Sequence, residues 1–244
     1  RTAEAVYINK KYCNNICYII QDIEHLFYPN DPLIKSNVIG TYKPDFNYFC
    51  ISKYLENYFA NKLKLQNIFS SRLCVDLKNY YDMKINRDDS VLIAYYPNKP
   101  CRLPGLVSKI IKTLSANNIK CYIYPFPYKK IVNDNIINVG FLNNTTELNK
   151  LYNSHKIGII FSNSNPSRLG FEMYASGLHV IEYDSEFTKY DKPPEYFTKI
   201  RKVRDVLKNV YELFKKPYDD GFLSNIDRNT DYLNFKIFID KMLE

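Results

Sequence analysis

The sequence contains no tryptophan, only 3 histidines and only 7 glycines among its 244 residues. With so few histidines, a hydrolase built on serine, histidine and aspartate has few options, and we expect structural roles for His155 and His179. The motifs G-x-G-x-x-G, G-x-x-x-x-G-K-S/T and G-x-S-x-G do not occur. If the protein binds a phosphate group, it must do so without a glycine-rich loop of these kinds.

Long apolar runs are also missing. No stretch reaches the about 18 residues that a membrane-spanning helix needs, and no signal-peptide pattern is found. The 6 cysteines are scattered, and no second Cys/His pair stands at zinc-binding spacing. We therefore expect reduced cysteines in a cytoplasmic protein, with no metal site and no cofactor.

Charge is plentiful but unclustered. The 34 lysines and arginines exceed the 26 aspartates and glutamates, which makes the net charge +8. Such an excess is compatible with nucleic acid, an anionic membrane surface or a phosphorylated substrate as partner. A nucleic-acid site would call for a basic stripe with interleaved aromatic residues, and the spread of lysine argues against it. Peripheral association with an anionic membrane stays open.

Apolar runs of strand length alternate with segments of helical apolar spacing along most of the chain. This alternation predicts βαβ units and parallel sheets, hence an α/β fold. Residues 77–89 are charged and patternless, so we interpret them as a linker. It separates an incomplete Rossmann-like unit, 1–80, from a second Rossmann-like domain, 90–200. Residues 201–244 are predicted to form C-terminal helices.

Right-handed crossovers bring the C-terminal ends of parallel strands to one edge of the sheet, where α/β folds bind ligands. Three loops of the second domain follow its strands there. Lysine and arginine on such loops can neutralise a diphosphate. A single cation is more often an ordinary surface residue, and it is the shared position on these loops that favours a ligand. The candidate residues on these loops are Lys99, Arg102, Gly140, Ser162, Asn163, Ser164, Asn165, Ser167 and Arg168.

Glu172 stands inside an otherwise apolar helical segment, four residues after Arg168. A carboxylate in that position must face solvent, pair with Arg168, or accept hydrogen bonds from a ligand. A carboxylate that accepts two hydroxyl groups of a ribose is a common device in nucleotide sites. All three alternatives remain open at this point.

The first unit offers carboxylates at the end of its first apolar run. Asp22 and Glu24 follow the buried-strand pattern of 16–20. Because ligands meet parallel sheets at this end of the strands, the two residues are candidates to face the cleft between the units. A solvated turn explains the same residues equally well.

The stretch SNPSRLGFEMYASGLHVIE (164–182) resembles the donor-nucleotide segment of GT-B glycosyltransferases of the family-four type. Their pattern there is Pro-Ser/Glu-x-x-x-x-Glu-x-x-Ala-x-Gly before a valine-rich strand. YIIQDIEHLFYP (18–29) looks like the Gln-Asp-x-Glu segment of the WsaF-like, or rhamnan-synthesis F, rhamnosyltransferase branch. GFLNNTTELNKLYNSHKIGIIFS (140–162) looks like the stretch that precedes the donor loop.

This resemblance implies a GT-B fold, a nucleotide-sugar donor such as dTDP-rhamnose, a glycan or glycolipid acceptor and no metal requirement. It also implies that Glu172 holds the ribose, that Lys99 and Arg102 lie near the diphosphate, and that 162–168 lies near the sugar and phosphates. We expect Asp22 or Glu24 to orient or deprotonate the acceptor.

Two departures from the family pattern stand out. The wider family often has two glutamates eight residues apart, and the earlier one falls on Ser164 here, whose hydroxyl cannot stabilise a developing positive charge. Only 1–80 precede the linker, so the chain is either a fragment or has a reduced acceptor domain. The main interpretation is a rhamnosyl-transferring enzyme. The alternatives are a truncated, non-catalytic nucleotide-sugar-binding module and a basic nucleic-acid-binding protein.

Overall fold

The computed structural model describes residues 2–13, 15–28, 30–129, 133–164, 166–188 and 190–243. Within these residues the chain forms two separate sheets, and every strand pair in both of them is parallel. The predicted α/β fold with two Rossmann-like units is therefore confirmed. Most strands that follow one another within a sheet are separated by a helix, which is the crossover connection that parallel neighbours need.

The smaller sheet has the strand order β1-β2-β3. Its strands are β1 (Cys17–Ile20), β2 (Asn47–Cys50) and β3 (Ile68–Ser70). Its helices are α1 (Thr2–Ile8), α2 (Pro32–Ile39) and α3 (Lys53–Lys62). Leu55 and Phe59 of α3 pack with Tyr48 of β2, and all three side chains are fully buried. The Ser52 hydroxyl accepts a hydrogen bond from Leu55 N at 3.2 Å and so caps the start of α3.

The larger sheet has the order β6-β5-β4-β7-β8-β9. Its strands are β4 (Asp88–Tyr95), β5 (Cys121–Pro125), β6 (Ile136–Asn138), β7 (His155–Ile160), β8 (His179–Tyr183) and β9 (Phe197–Ile200). The sequence did not predict β9. That strand lies at the edge of the sheet and spans four residues, so it carries little apolar pattern of its own, and pairing with β8 defines it.

Helices cover both faces of the larger sheet. They are α4 (Pro104–Ala116), α5 (Thr145–Asn153), α6 (Arg168–Ala175) and α7 (Arg204–Lys215). One face packs on α4 and α7, and the other on α5 and α6. Coverage of both faces explains why β4 and β7 are nearly continuous apolar runs. No helix in the described part of the chain has the length and apolar character to cross a bilayer.

The predicted linker is ordered and packs against the larger unit. Asn153 Oδ1 accepts hydrogen bonds from Met83 N at 2.8 Å and from the Arg87 guanidinium at 2.9 Å. Arg87 also pairs with Asp82 at 2.6 Å and donates to the carbonyl of Ser176 at 2.8 Å. Buried polar contacts rather than apolar periodicity hold this segment, so a hydrophobic pattern could not reveal its order.

The last helix, α8 (Arg228–Leu243), returns to the smaller unit. The Phe238 ring lies 5.1 Å from both the Phe49 and the Phe69 rings, measured between centroids. Near the helix end, Asn15 Nδ2 donates to the carbonyl of Met242 at 2.6 Å. The two helices of 201–244 therefore pack on different units, α7 on the larger and α8 on the smaller.

Candidate functional site

Two of the predicted cations lie on the loop between β4 and α4. Arg102 ends a short 3₁₀ turn at Pro100–Arg102, and Lys99 precedes that turn. Leu103 then adopts a left-handed backbone with φ 51°, which is uncommon outside glycine and is maintained only by its surroundings. Lys99 Nζ and Arg102 Cζ lie 5.1 and 5.7 Å from the centroid of the Tyr96 ring. The loop thus carries two cations on a tightly constrained turn.

The loop between β7 and α6 contains the serine and asparagine candidates, and most of it is buried. Asn165, one of the predicted residues, lies outside the described residues. Asn163 N donates to the carbonyl of Cys101 at 2.9 Å, which ties this loop to the one after β4. The buried polar side chains of the loop are those of Ser162, Ser164 and Ser167. The two loops therefore form one surface at the edge of the sheet.

Three buried polar atoms on this surface have no hydrogen-bond partner among the described residues. They are Nη1 of Arg102, Oγ of Ser162 and Oγ of Ser167. An unpaired buried polar group costs on the order of 1–3 kcal/mol, and more when it is charged. Because most buried polar groups in native proteins are paired, three unpaired ones in adjacent loops indicate a place for a polar ligand.

The start of α6 adds a further attraction for an anion. Ser167 is the N-cap residue, yet its side chain does not cap the helix. The helix N-terminus therefore keeps its partial positive charge, about half an elementary charge, directed toward the loop. Arg168 opens the helix and is exposed, so its guanidinium is available to the same ligand.

Glu172, one turn further along α6, is half-buried rather than on the surface. Burial raises the pKa of its carboxyl, while the Arg168 charge and the Tyr152 hydroxyl act in the opposite direction. Burial raises the pKa values of Tyr80 and Tyr96 to about 12, and the negative charge of Glu172 adds to both shifts. A carboxylate surrounded by tyrosines is well suited to accept hydroxyl groups of a ligand.

Asp22 of the smaller unit contacts the loop between β7 and α6 of the larger unit. Its carboxylate accepts hydrogen bonds from Ile23 N at 2.7 Å and from the Ser164 hydroxyl at 3.3 Å. Burial raises the pKa of Asp22, and the Ile23 amide, the Ser164 hydroxyl and the Arg102 charge partly offset that rise. Position 164, where the sequence departs from the family pattern, is thus in contact with a carboxylate from the opposite unit.

Two cavities open beside Arg102, and both are lined by Asp22 as well. A cavity of about 350 Å³ is bounded by Asp22, Phe27, Asn98, Lys99, Pro100, Cys101 and Arg102. A second, of about 520 Å³, is bounded by Gln21, Asp22, Glu24, Phe27, Ile51, Leu73, Arg102, Pro166, Ser167 and Arg168. The structure therefore brings both predicted carboxylates and the predicted cations to one cleft between the units.

Gly140 stands apart from this group. It follows β6, the edge strand, which β5 separates from β4. Its φ of 84° explains why glycine occurs there. Neither cavity beside Arg102 is lined by Gly140.

A buried charged cluster beneath α6 was not predicted. Lys192 pairs with Glu182, and Lys199 Nζ lies 3.3 Å from the second carboxylate oxygen of Glu182. Lysine is so common in this chain that Lys192 carried no signal of its own. The only available hint was Glu182, a carboxylate within the apolar strand β8.

The histidines have structural contacts, as predicted for two of them. His155 Nδ1 lies 2.7 Å from the Ser90 hydroxyl, and burial lowers its pKa to about 4. His179 Nε2 lies 2.9 Å from the carbonyl of Lys216. The described residues contain no group of three or more histidine, cysteine or acidic side chains arranged to hold a metal ion, and all six cysteines are free thiols.

Comparison with known proteins finds relatives in structure but not in sequence. No protein-family model matches the chain, and no curated protein sequence matches it. Sucrose-phosphate synthase from Thermosynechococcus elongatus superimposes with a TM-score of 0.68 at 10% identity over 97% of this chain and 67% of its own. Anabaena HepE in complex with UDP and glucose gives 0.63 at 10% identity, over 96% and 70%. S. aureus TarM bound to fondaparinux, α-GlcNAc-glycerol and UDP gives 0.64 at 14% identity, over 98% and 53%.

These similarities identify the fold as GT-B, the two-unit arrangement of parallel sheets predicted from the sequence. The matches cover 97%, 98% and 80% of this chain, which spans only 67%, 57% and 45% of the first three structures found in that comparison. At identities of 10–14%, they establish the architecture and leave the chemistry to be argued from this chain's own residues.

Proposed function

We propose that this chain is a glycosyltransferase that binds a nucleotide-diphosphate sugar in the cleft and transfers the sugar to a hydroxyl of a glycan or glycolipid acceptor. The observation that carries the proposal is the group of three buried polar atoms without a partner among the described residues, on Arg102 of the loop before α4 and on Ser162 and Ser167 of the loop before α6. A diphosphate supplies acceptors for the guanidinium and the serine hydroxyls, and it carries the negative charge that a helix N-terminus favours.

Charge on the leaving diphosphate is the main electrostatic demand of such a transfer. Lys99, Arg102 and Arg168 carry positive charge at the cleft, and the amides of α6 add partial positive charge. Donors already in position where charge develops stabilise a transition state without reorganisation. In this proposal these groups neutralise the diphosphate without a metal ion.

Glu172 is the proposed ribose ligand. It follows Arg168 by one helical turn, so a diphosphate at the start of α6 leaves the nucleoside on the Glu172 side. The surrounding tyrosines, Tyr80, Tyr96 and Tyr152, interact electrostatically with its carboxylate. HepE and TarM were each solved with UDP, and the family resemblance implies dTDP-rhamnose. We propose a pyrimidine nucleoside diphosphate that carries a deoxyhexose, rhamnose.

Asp22 is the proposed catalytic carboxylate on the acceptor side. Transfer forms a bond from the acceptor oxygen to the anomeric carbon, breaks the bond from that carbon to the diphosphate and releases the acceptor proton, which Asp22 takes up. Burial raises the pKa of Asp22, which makes it a stronger base. Glu24 lines the same cavity and is exposed, so it is the alternative acceptor ligand.

A binding module without transfer activity is the second candidate. The small three-stranded sheet favours it, because the acceptor side is the smaller part of the described structure. Peripheral association with an anionic membrane surface in the cytoplasm fits the net charge of +8 and a glycolipid acceptor.

Thermal shift with UDP, dTDP and their sugar conjugates tests the proposal, with inorganic phosphate and a purine nucleoside diphosphate as comparison ligands. A ligand at 100 times its dissociation constant adds about 2.7 kcal/mol to the free energy of unfolding. If no nucleoside diphosphate raises the melting temperature, the proposal is wrong. Donor binding without hydrolysis or transfer to any glycan would favour the binding module instead.

A further inference from the structure

Lys192 lies directly beneath the loop between β7 and α6. Its side chain is fully buried, and its Nζ donates one hydrogen bond to the carbonyl of Ser167 at 2.8 Å and another to a carboxylate oxygen of Glu182. The same Nζ lies 4.6 Å from the centroid of the Phe171 ring and 5.4 Å from that of Phe197. The lysine is therefore held from several sides, and it contacts the residue whose hydroxyl has no partner among the described residues, Ser167.

A glycine in α6 leaves the space that this lysine occupies. Gly170 lies in the first turn of α6, and a Cβ at that position would lie 2.6 Å from Lys192 Nζ and would also collide with the Glu182 carboxylate. Contacts under 3.0 Å of this kind do not occur for real Cβ atoms. Glycine weakens a helix by roughly 0.5–1 kcal/mol relative to alanine, so its presence there is explained by the space that the ion pair needs.

Lys192 and Lys199 share the Glu182 carboxylate. The carboxylates of Asp191 and Glu172 also interact with the charge of Lys192. Burial and the positive charges of Lys199 and Arg102 nevertheless disfavour the protonated form of Lys192 in the empty protein. An anion bound above Ser167 would stabilise that form.

We propose that Lys192 is a positioning residue of the donor site, which holds the Ser167 carbonyl at the start of α6 and supplies a buried positive charge that the bound diphosphate neutralises. This inference rests on the proposed function, because it takes the ligand of that loop to be a nucleoside diphosphate.

The titration of Lys192 provides a measurable consequence. Burial lowers its pKa to about 8, the Glu182 carboxylate opposes that shift, and the charges of Lys199 and Arg102 add to it. Glu172 of α6 is a further charged group that senses Lys192. A bound diphosphate favours the protonated lysine. Below this pKa the lysine is already protonated, whereas above it binding must take up a proton, so affinity falls as the pH rises.

The test is calorimetry of UDP and dTDP binding to the unmodified protein at about pH 8.5, in two buffers that differ in ionisation enthalpy. We expect a buffer-dependent heat that corresponds to uptake of a fraction of a proton. Between about pH 8 and pH 9.5 the affinity should fall by up to about tenfold per pH unit. At these pH values the terminal phosphate of the ligand is already ionised, so it does not contribute.

Two substitutions test whether Lys192 is the group that takes up the proton. Lys192→Met should weaken UDP binding by about tenfold and abolish the proton uptake. Cys101→Ser, which removes the only thiol that lines the cavity next to Arg102 in the described structure, should retain the uptake. Lys208→Met removes an exposed lysine of α7 and serves as the matched control, with no change in affinity or uptake expected.

Circular dichroism and melting curves establish that each variant is folded, and the measurement on the unmodified protein does not depend on any variant. Binding without proton uptake in the unmodified protein overturns the role of Lys192 but leaves the proposed function intact. Uptake that persists in Lys192→Met likewise overturns it. Absence of binding by either nucleoside diphosphate overturns both.

Discussion

The two sides of the cleft differ in sign and in construction. The larger unit presents cations, a helix N-terminus and three buried polar atoms that have no partner in the described part of the chain. The two loops that carry these atoms are joined by the hydrogen bond from Asn163 N to Cys101 O. The smaller unit presents carboxylates, Asp22 and Glu24, at the end of a four-residue strand. A positive, preformed side suits an anionic donor, and a carboxylate side suits a neutral acceptor whose proton must be removed.

Asp22→Asn should have the largest effect, on the carboxylate side of the cleft. The amide keeps the shape and can still contact Ser164, but it cannot accept the acceptor proton, so we expect the transfer rate to fall by about 10²–10⁴-fold. Nucleoside diphosphate affinity should change little, because the cations lie on the opposite side. Rates from product formation and affinities from calorimetry separate the two effects.

Glu24→Gln is the matched control for Asp22, because it changes a neighbouring exposed carboxylate in the same cavity. Its effect on the transfer rate should be much smaller. An unchanged rate in Asp22→Asn, or a larger loss in Glu24→Gln, would move the catalytic role away from Asp22.

Arg102→Met should weaken nucleotide binding on the cationic side of the cleft. It removes a partly buried guanidinium whose Nη1 has no partner among the described residues, so we expect the dissociation constant of UDP to rise by about tenfold to a hundredfold. Lys112→Met, on the exposed face of α4, is the control and should bind normally. Equal affinity in both variants would contradict a diphosphate beside Arg102.

The pH dependence of binding tests the role of Glu172, a carboxylate on the cationic side of the cleft. Its pKa is raised above the ordinary value of 4.5, so affinity for the nucleotide sugar should fall as the pH drops through that raised value and the carboxyl becomes protonated. Glu172→Gln should weaken binding by about tenfold at neutral pH and remove this acid-side dependence. A nucleotide sugar is the right probe because its diphosphate does not titrate in this range.

The same shift has a consequence for stability. The folded state holds the Glu172 proton over the window between 4.5 and the raised pKa, where the unfolded chain has lost it, so this group makes the protein less stable as the pH rises through that window. Glu172→Gln should therefore unfold at a higher temperature at neutral pH despite weaker binding. A lower melting temperature would indicate a structural role for the carboxylate.

Removal of the contact that Asp191 makes between the two units should have the smallest effect. Its carboxylate accepts hydrogen bonds from Lys53 N at 3.3 Å and Tyr54 N at 3.4 Å, so a residue of the larger unit caps α3 of the smaller one. Asp191→Ala should lower the free energy of unfolding by about 1 kcal/mol in denaturant titrations. It should also slow transfer, because the units are no longer joined there.

Asp31→Ala is the control for that cap. Asp31 accepts from Ile34 N at 2.9 Å and caps α2 within the smaller unit. A similar loss of stability is expected, but without slower transfer. If both variants slow transfer equally, the cap at α3 has no special part in holding the units together.

Much of the fold was predictable because it follows from local patterns. Apolar spacing at 103–114 indicated α4, and the alternation of short apolar runs with helices indicated parallel sheets. The loops were predictable for the same reason, since strand ends of a parallel sheet share an edge. Strand β9 and the order of 77–87 were not, because pairing with β8 and buried polar contacts define them.

The candidate site divides in the same way. Lys99, Arg102, Ser162, Ser164, Ser167, Arg168 and Glu172 stand on loops or a helix start that the sequence pattern identified. The contact from Ser164 to Asp22 joins residues 142 positions apart, and no local pattern encodes a contact at that separation.

Residue types and spacing by themselves determined the α/β class, the polar loops after two strands and a carboxylate one turn into α6. The tertiary structure alone decided which of these groups meet, that Asp22 faces Ser164, and that Lys192 and Glu182 are buried under the first turn of α6. The physical reason is that periodicity reports which face of an element is apolar. Desolvation and unpaired polar atoms, on which the proposed chemistry depends, exist only once distant segments exclude water from one another.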